Sequence, residues 1–137
     1  PHMLFIVSAG NNGRDIDRAP VYPAALSLTN MVTVTSADAF GKLAEGSNWG
    51  RTHVDIMTPG ERVAVIDHRG VDIQASGSSF AVPRIAALAA RWLAANPART
   101  AKKLKQANLT RARPSPRQSI LPLAYGWIPD PTDDYLP

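Results

Sequence analysis

Cysteine is absent from all 137 residues, which excludes disulfides and thiolate metal ligation and leaves the compartment open. No apolar run approaches the roughly 18 residues of a membrane span, so no spanning helix is expected. Acidic residues are missing from one long stretch. Arg99, Lys102, Lys103, Lys105, Arg111, Arg113 and Arg117 follow one another with no acid between them, in a chain of net charge +4. A basic stretch can bind nucleic acid or anionic membrane. Here no aromatic interleaves it and no groove-reading motif accompanies it. It reads as a solvated helix face and linker, and neither nucleic acid nor membrane is expected as a partner.

What is present describes a globular chain of one modest domain, with 45% hydrophobic and 19% charged residues. The opening Pro1-His2-Met3 resembles the scar of a cleaved tag and is set aside as residues 1–3. Native sequence then starts near Leu4, inside a strand, which gives the expectation of a fragment.

Leu4 to Val7 is a short continuous apolar run ending in Ala-Gly-Asn-Asn-Gly, the pattern of a strand buried on both faces. Met31 to Thr35 is a second β-branched run of that kind. Val54–Met57 and Val63–Ile66 are shorter strands separated by the turn Thr58-Pro59-Gly60-Glu61, and Val71–Gln74 reads as an edge strand. Phe80 to Ala95 is predicted as one long helix, with Ile85, Leu88, Ala89, Trp92 and Leu93 on a single stripe and Pro83 in its first turn. Thr100 caps a shorter helix to Leu109, whose Leu104 and Leu109 face inward. Six of the twelve prolines lie from Pro114 onward, so this tail is expected to be extended and irregular, with Tyr125, Trp127, Ile128 and Leu136 able to pack. Strands followed by helices through short turns predict an α/β layer with a mostly parallel sheet.

Two segments carry chemistry. Ser76-Gly77-Ser78-Ser79-Phe80-Ala81-Val82-Pro83 delivers serines onto the first turn of the long helix, where unpaired N–H groups and the helix dipole favour negative charge. By itself this is equally a helix cap. Val7-Ser8-Ala9-Gly10-Asn11-Asn12-Gly13 ends in an Asn-Gly turn, which alone needs no function.

Together with Tyr22-Pro23-Ala24-Ala25 before Met31–Val34, and Ser47-Asn48-Trp49-Gly50 before Val54–Gly60, these segments resemble the subtilisin-like serine proteases, the subtilases. Four segments in the family's order, across Val7 to Leu109, carry the resemblance. It implies the C-terminal part of a three-layer α/β/α domain with a mostly parallel sheet. The serine-any-alanine-any-proline spacing selects Ser79 as nucleophile. Asn11 matches the side-chain donor of the oxyanion hole, the backbone N–H of Ser79 the second donor, and Ser8, Ala9 and Gly10 a wall of the substrate pocket. The implied partner is a peptide or protein substrate, and the implied setting is secreted or cell-envelope.

The resemblance also has gaps. Arg84 and Ala87 stand where the family has histidine and glycine; Arg84 puts charge near the nucleophile helix, and Ala87 is expected to thicken a helix contact. The family's aspartate and histidine motifs precede its serine along the chain, and neither occurs here. His53, Asp67 and Ser79 follow the order of an unrelated triad, an option set aside because it demands a different geometry. Without a base, Ser79 is a poor nucleophile. No cofactor is expected; calcium enters through the resemblance alone, and Asp55, Asp67 and Asp72 read as surface residues.

The domain reading is then residues 4–112 as the C-terminal part of a subtilase catalytic domain and residues 113–137 as a proline-rich extension. The chain is expected to be inactive alone, and to associate with a missing N-terminal half or with itself through an open sheet edge. The alternative is a catalytically dead binding or scaffold module completed by another chain.

Overall fold

The computed structural model describes residues 2–131; the expectations for Pro1 and Leu136 fall outside them. Four parallel strands form the main sheet in the order β1-β2-β3-β6: β1 (Phe5–Ser8), β2 (Met31–Ala37), β3 (Ile56–Pro59) and β6 (Gly126–Trp127). An antiparallel hairpin, β4 (Val63–Ile66) with β5 (Asp72–Ala75), stands apart from it. The helices are α1 (Ser78–Ala95) and α2 (Ala101–Leu109). The architecture is α/β with a mainly parallel sheet.

Alternation along β2 decides which residues meet which layer. Val32 and Val34 join Ile56, Ala81, Ile85 and Ile128 in one buried cluster under α1. Ala37 and Met57 face the other way, with Ala9, Ile16, Ala24, Leu123 and Trp127. On that second face Thr33 and Thr35 satisfy their hydroxyls on the carbonyls of Ala24 and Asn48 at 3.1 and 2.6 Å. Among the described residues, helices cover one face and loops cover the other.

Several expectations shift. α1 starts at Ser78, two residues ahead of the apolar periodicity, so Pro83 falls in the second turn rather than the first. Within α1, Ile85, Leu88 and Ala89 are buried, but Leu93 is 40% exposed. Ala87 is exposed too. Thr100 caps α2 as expected, its hydroxyl accepting from the Lys103 N–H. The segment after Arg113 returns to the core: the Ala124 N–H donates to Val54 O, Ile128 is fully buried, and β6 adds to the sheet beside β3. Three arginines of the basic stretch stack on aromatic rings, Arg99 on Trp92, Arg113 on Trp127 and Arg117 on Phe40.

Candidate active site

The site lies where parallel strands end and α1 begins, the edge at which open α/β sheets collect ligands. After β1 the chain turns through Gly10, at φ +97°, and exposes Asn11. This turn is held by Asn48, a fully buried side chain. Its Oδ1 accepts from the Asn12 and Arg14 N–H groups at 2.9 and 3.0 Å, and its Nδ2 donates to Ala9 O at 2.8 Å. Three of the four hydrogen bonds open to the amide are spent on positioning the loop.

From the other side, the turn before α1 is fixed by Gly77 N–H to Gly60 O at 2.8 Å and by Arg62 N–H to Ser76 Oγ at 2.9 Å. Gly77 takes φ +139°, a conformation that side-chain-bearing residues rarely adopt, and a Cβ there would touch the Asn11 amide at 3.4 Å. The backbone angle, rather than a lack of room, is what calls for glycine here.

At the join, the Ser78 N–H donates to Asn11 Oδ1 at 2.8 Å and the Ser78 hydroxyl lies 2.9 Å from the same oxygen. Because a backbone N–H must meet an acceptor, the Asn11 amide can face only one way, with Nδ2 directed outward. Among the described residues nothing accepts from Nδ2. Ser8 Oγ sits 2.6 Å from Ser78 Oγ and accepts from the Gly10 N–H at 3.2 Å. One proton arrangement satisfies the set: Ser8 donates to Ser78, and Ser78 donates to Asn11.

Ser79 follows on the first turn of α1, exposed to solvent. The Ser78 N–H is used by Asn11 and the Phe80 N–H by Gly77 O. The Ser79 N–H, between them, has no acceptor among the described residues. Two N–H donors, Asn11 Nδ2 and Ser79 N, are therefore left unpaired beside one exposed serine hydroxyl, at the positive end of a helix.

Of the other predicted residues, Ala9 is fully buried, Gly10 is half-buried, and half-buried Ser8 is bonded to Ser78. His53 does not approach Ser79. Its Nδ1 pairs with Asp17 Oδ1 at 2.7 Å, near the starts of β2 and β3, the opposite end of the sheet. Burial opposes ionisation of Asp17, but the N–H groups of Thr52 and His53 and the His53 ring outweigh it and hold its pKa below the ordinary value. Asp67 closes the β4–β5 turn, accepting from the Arg69 and Val71 N–H groups, which keep its pKa low. The His53-Asp67-Ser79 arrangement is thus not assembled.

Asp55 corrects its expectation as a surface residue. It is half-buried, and burial raises its pKa despite the Thr33 N–H at 2.8 Å and the nearby charge of Lys105. Arg84, expected to put a charge near the nucleophile helix, forms an ion pair with Asp130. Among the described residues no group of three or more histidines, aspartates or glutamates is placed to hold a metal.

Sequence reasoning missed the roles of Ser78 and Asn48. Asn48 lies within the Ser47-Asn48-Trp49-Gly50 motif, yet its partners are up to 39 residues away. The spacing that selects Ser79 passes over Ser78, and nothing local marks Ser78 as the anchor of Asn11.

A serine on the first turn of a helix thus lies beside a clamped asparagine amide, at the carboxyl ends of parallel strands, in a fold of the α/β class. Relatives narrow that class to one family. The Subtilase family model, Peptidase_S8, matches residues 1–127, and the chain belongs to that family. The cuticle-degrading serine protease of Arthrobotrys oligospora is 39% identical over 98 residues, 69% of this chain and 22% of that protein. Subtilisin-like protease 1 of Pseudogymnoascus destructans is 35% identical over 129 residues, 90% of this chain and 31% of that one. Among solved structures, a cold adapted subtilisin-like serine proteinase aligns with TM-score 0.75 at 28% identity, covering 90% of this chain and 45% of its own. The prenylagaramide maturation protease PagA aligns with TM-score 0.76 at 28% identity, covering 91% and 47%. The chain therefore spans less than a third of these two curated relatives and less than half of these two solved chains.

Proposed function

We propose that this chain is the nucleophile-bearing portion of a subtilisin-like serine endopeptidase. Ser79 Oγ attacks the scissile carbonyl, and the carbonyl oxygen, negative in the tetrahedral intermediate, is received by Asn11 Nδ2 and the Ser79 N–H. Donors fixed before the reaction stabilise the developing charge without reorganising, which is the largest single contribution in acyl transfer of this type. The observation that supports this reading is the pair of unpaired N–H donors beside an exposed serine, one of them oriented by Ser78.

The proton acceptor and its acidic partner come, in this proposal, from family segments outside this chain. His53 is committed to Asp17, and the chain by itself hydrolyses no peptide. The test is peptide hydrolysis by protein carrying residues 1–137 within a complete family domain, compared with the chain alone. Turnover abolished by Ser79→Ala in the former, and absent in the latter, is the expected result. A complete domain without Ser79-dependent turnover would replace the reading with a binding module.

A further inference from the structure

Ser8 ends β1, and strand alternation puts it on the same face as Ile6, which packs against the buried cluster beneath α1. A short polar side chain therefore comes up under the first turn of α1, where an apolar residue would continue the core. There Ser8 Oγ meets Ser78 Oγ, a fully buried residue, at 2.6 Å. Ser8 Oγ also accepts from the Gly10 N–H at 3.2 Å.

The direction of the serine–serine bond follows from its neighbours. Were Ser78 the donor to Ser8, its oxygen and Asn11 Oδ1, 2.9 Å apart, would face each other with no proton between them. Ser8 is the donor, and Ser78 turns its own proton onto Asn11. The Ser8 hydroxyl thus reaches Asn11 by two routes. Through Ser78 it acts on the side-chain oxygen, and through the Gly10 N–H it acts on the backbone turn that carries the residue.

We infer that Ser8 is a positioning residue for the Asn11 amide, acting through Ser78. Its effect grows during the reaction. As Nδ2 donates to an oxygen gaining negative charge, the amide polarises and Oδ1 becomes a stronger acceptor, so the bonds aimed at Oδ1 tighten. Ser8, donating to Ser78, makes Ser78 the better donor at that moment. An interaction that strengthens towards the transition state shows in kcat rather than in KM. This kinetic consequence rests on the reading of Ser79 and Asn11 as the reacting centre; the orienting of the amide stands apart from it.

The test compares Ser8→Thr with Ser8→Val, two side chains of matched shape of which only the first keeps a hydroxyl; Ser8→Ala replaces Ser8→Val if the latter gives no folded spectrum. In the ¹⁵N-labelled 137-residue chain, NMR relaxation reads the Asn11 side-chain amide. Wild type and Ser8→Thr should hold it as rigid as structured backbone, with an order parameter of about 0.85, and Ser8→Val should let it fall below about 0.6. In a complete family domain, Ser8→Val should lower kcat about three- to fivefold at unchanged KM, and Ser8→Thr should restore it. On an Asn11→Ala background the two variants should turn over equally, whereas damage to the strand itself would persist there. An Asn11 amide equally rigid in both variants, equal kcat in a domain that turns over, or a loss undiminished on the Asn11→Ala background overturns the inference. A loosened amide in a complete domain without Ser79-dependent turnover would refute the protease reading and leave the positioning of Asn11 by Ser8 standing.

Discussion

Ser78 holds Asn11 through one atom: its N–H and its hydroxyl reach the same Oδ1, at 2.8 and 2.9 Å. The residue before the proposed nucleophile thereby sets the direction of the proposed oxyanion donor. Losing one side-chain donor from such a hole costs roughly a hundred- to a thousand-fold in kcat, the magnitude established for subtilisin. Asn11→Ala in the active enzyme should fall in that range with KM little changed. Ser78→Ala keeps the backbone N–H but removes one of two restraints, so a smaller kcat loss, on the order of tenfold, is expected. Ser78→Thr retains the hydroxyl and should restore most of it. Steady-state kinetics on the three variants checks the order.

Gly10 and Asn48 are coupled by contact. A Cβ on Gly10 would lie 2.6 Å from Asn48 Nδ2, on a backbone at φ +97°. Gly10→Ala should cost about 1–3 kcal/mol through backbone strain, and it should also loosen the Asn11 loop. Asn48→Ala strands the carbonyl of buried Ala9, at about 1–3 kcal/mol for that group alone. Thermal unfolding measures the loss, and faster hydrogen exchange at Asn12 and Arg14 should accompany Asn48→Ala.

Asp17 and Asp55 should respond to pH with opposite signs. The folded-state pKa of Asp17 is depressed, so its stabilising contribution is complete above the unfolded-state value and lost as pH falls through the folded one. The stability gap between wild type and Asp17→Asn should hold from neutral pH into the ordinary carboxylate range and close below it. Asp55 is raised, so its ionised form burdens the fold above its folded-state pKa, and protonation relieves this. Asp55→Asn should therefore gain at neutral pH and show no advantage in acid. Denaturant midpoints across the acid range separate the two.

Truncation after Ala112 tests whether the proline-rich segment is an appendage. It removes Trp127, 7% exposed, and Ile128, fully buried. Removal of a buried Trp or Ile side chain costs about 3–5 and 2–5 kcal/mol, comparable with the whole stability of an ordinary domain, about 5–15 kcal/mol. The truncated chain should lose cooperative unfolding by circular dichroism. A sharp transition near that of the intact chain would make the segment an extension after all.

Much of this fold is legible from local pattern. The apolar runs at Leu4 and Met31 become paired parallel strands, and the Ile85-Leu88-Ala89 stripe becomes the buried face of α1. β6 was not legible, because two residues, Gly126 and Trp127, carry no periodicity, and surrounding prolines suggest an open tail. The start of α1 was misplaced because Ser78 and Ser79 are small and polar, and their helical geometry is fixed by Gly77 and Asn11 rather than by burial. Within the site, spacing singled out Ser79 and Asn11. It could not reveal that Ser78 orients Asn11 across 67 residues, or that His53 is paired with Asp17. Those contacts exist only once the strands are side by side.

The most direct measurement is covalent labelling of the intact protein with a fluorophosphonate, read by mass spectrometry of the peptide that contains Ser79. The expected result is a single adduct on Ser79, absent from Ser79→Ala and strongly slowed in Asn11→Ala. A complete family domain that takes no adduct, or takes it on another serine, would contradict the assignment of Ser79 as the nucleophile.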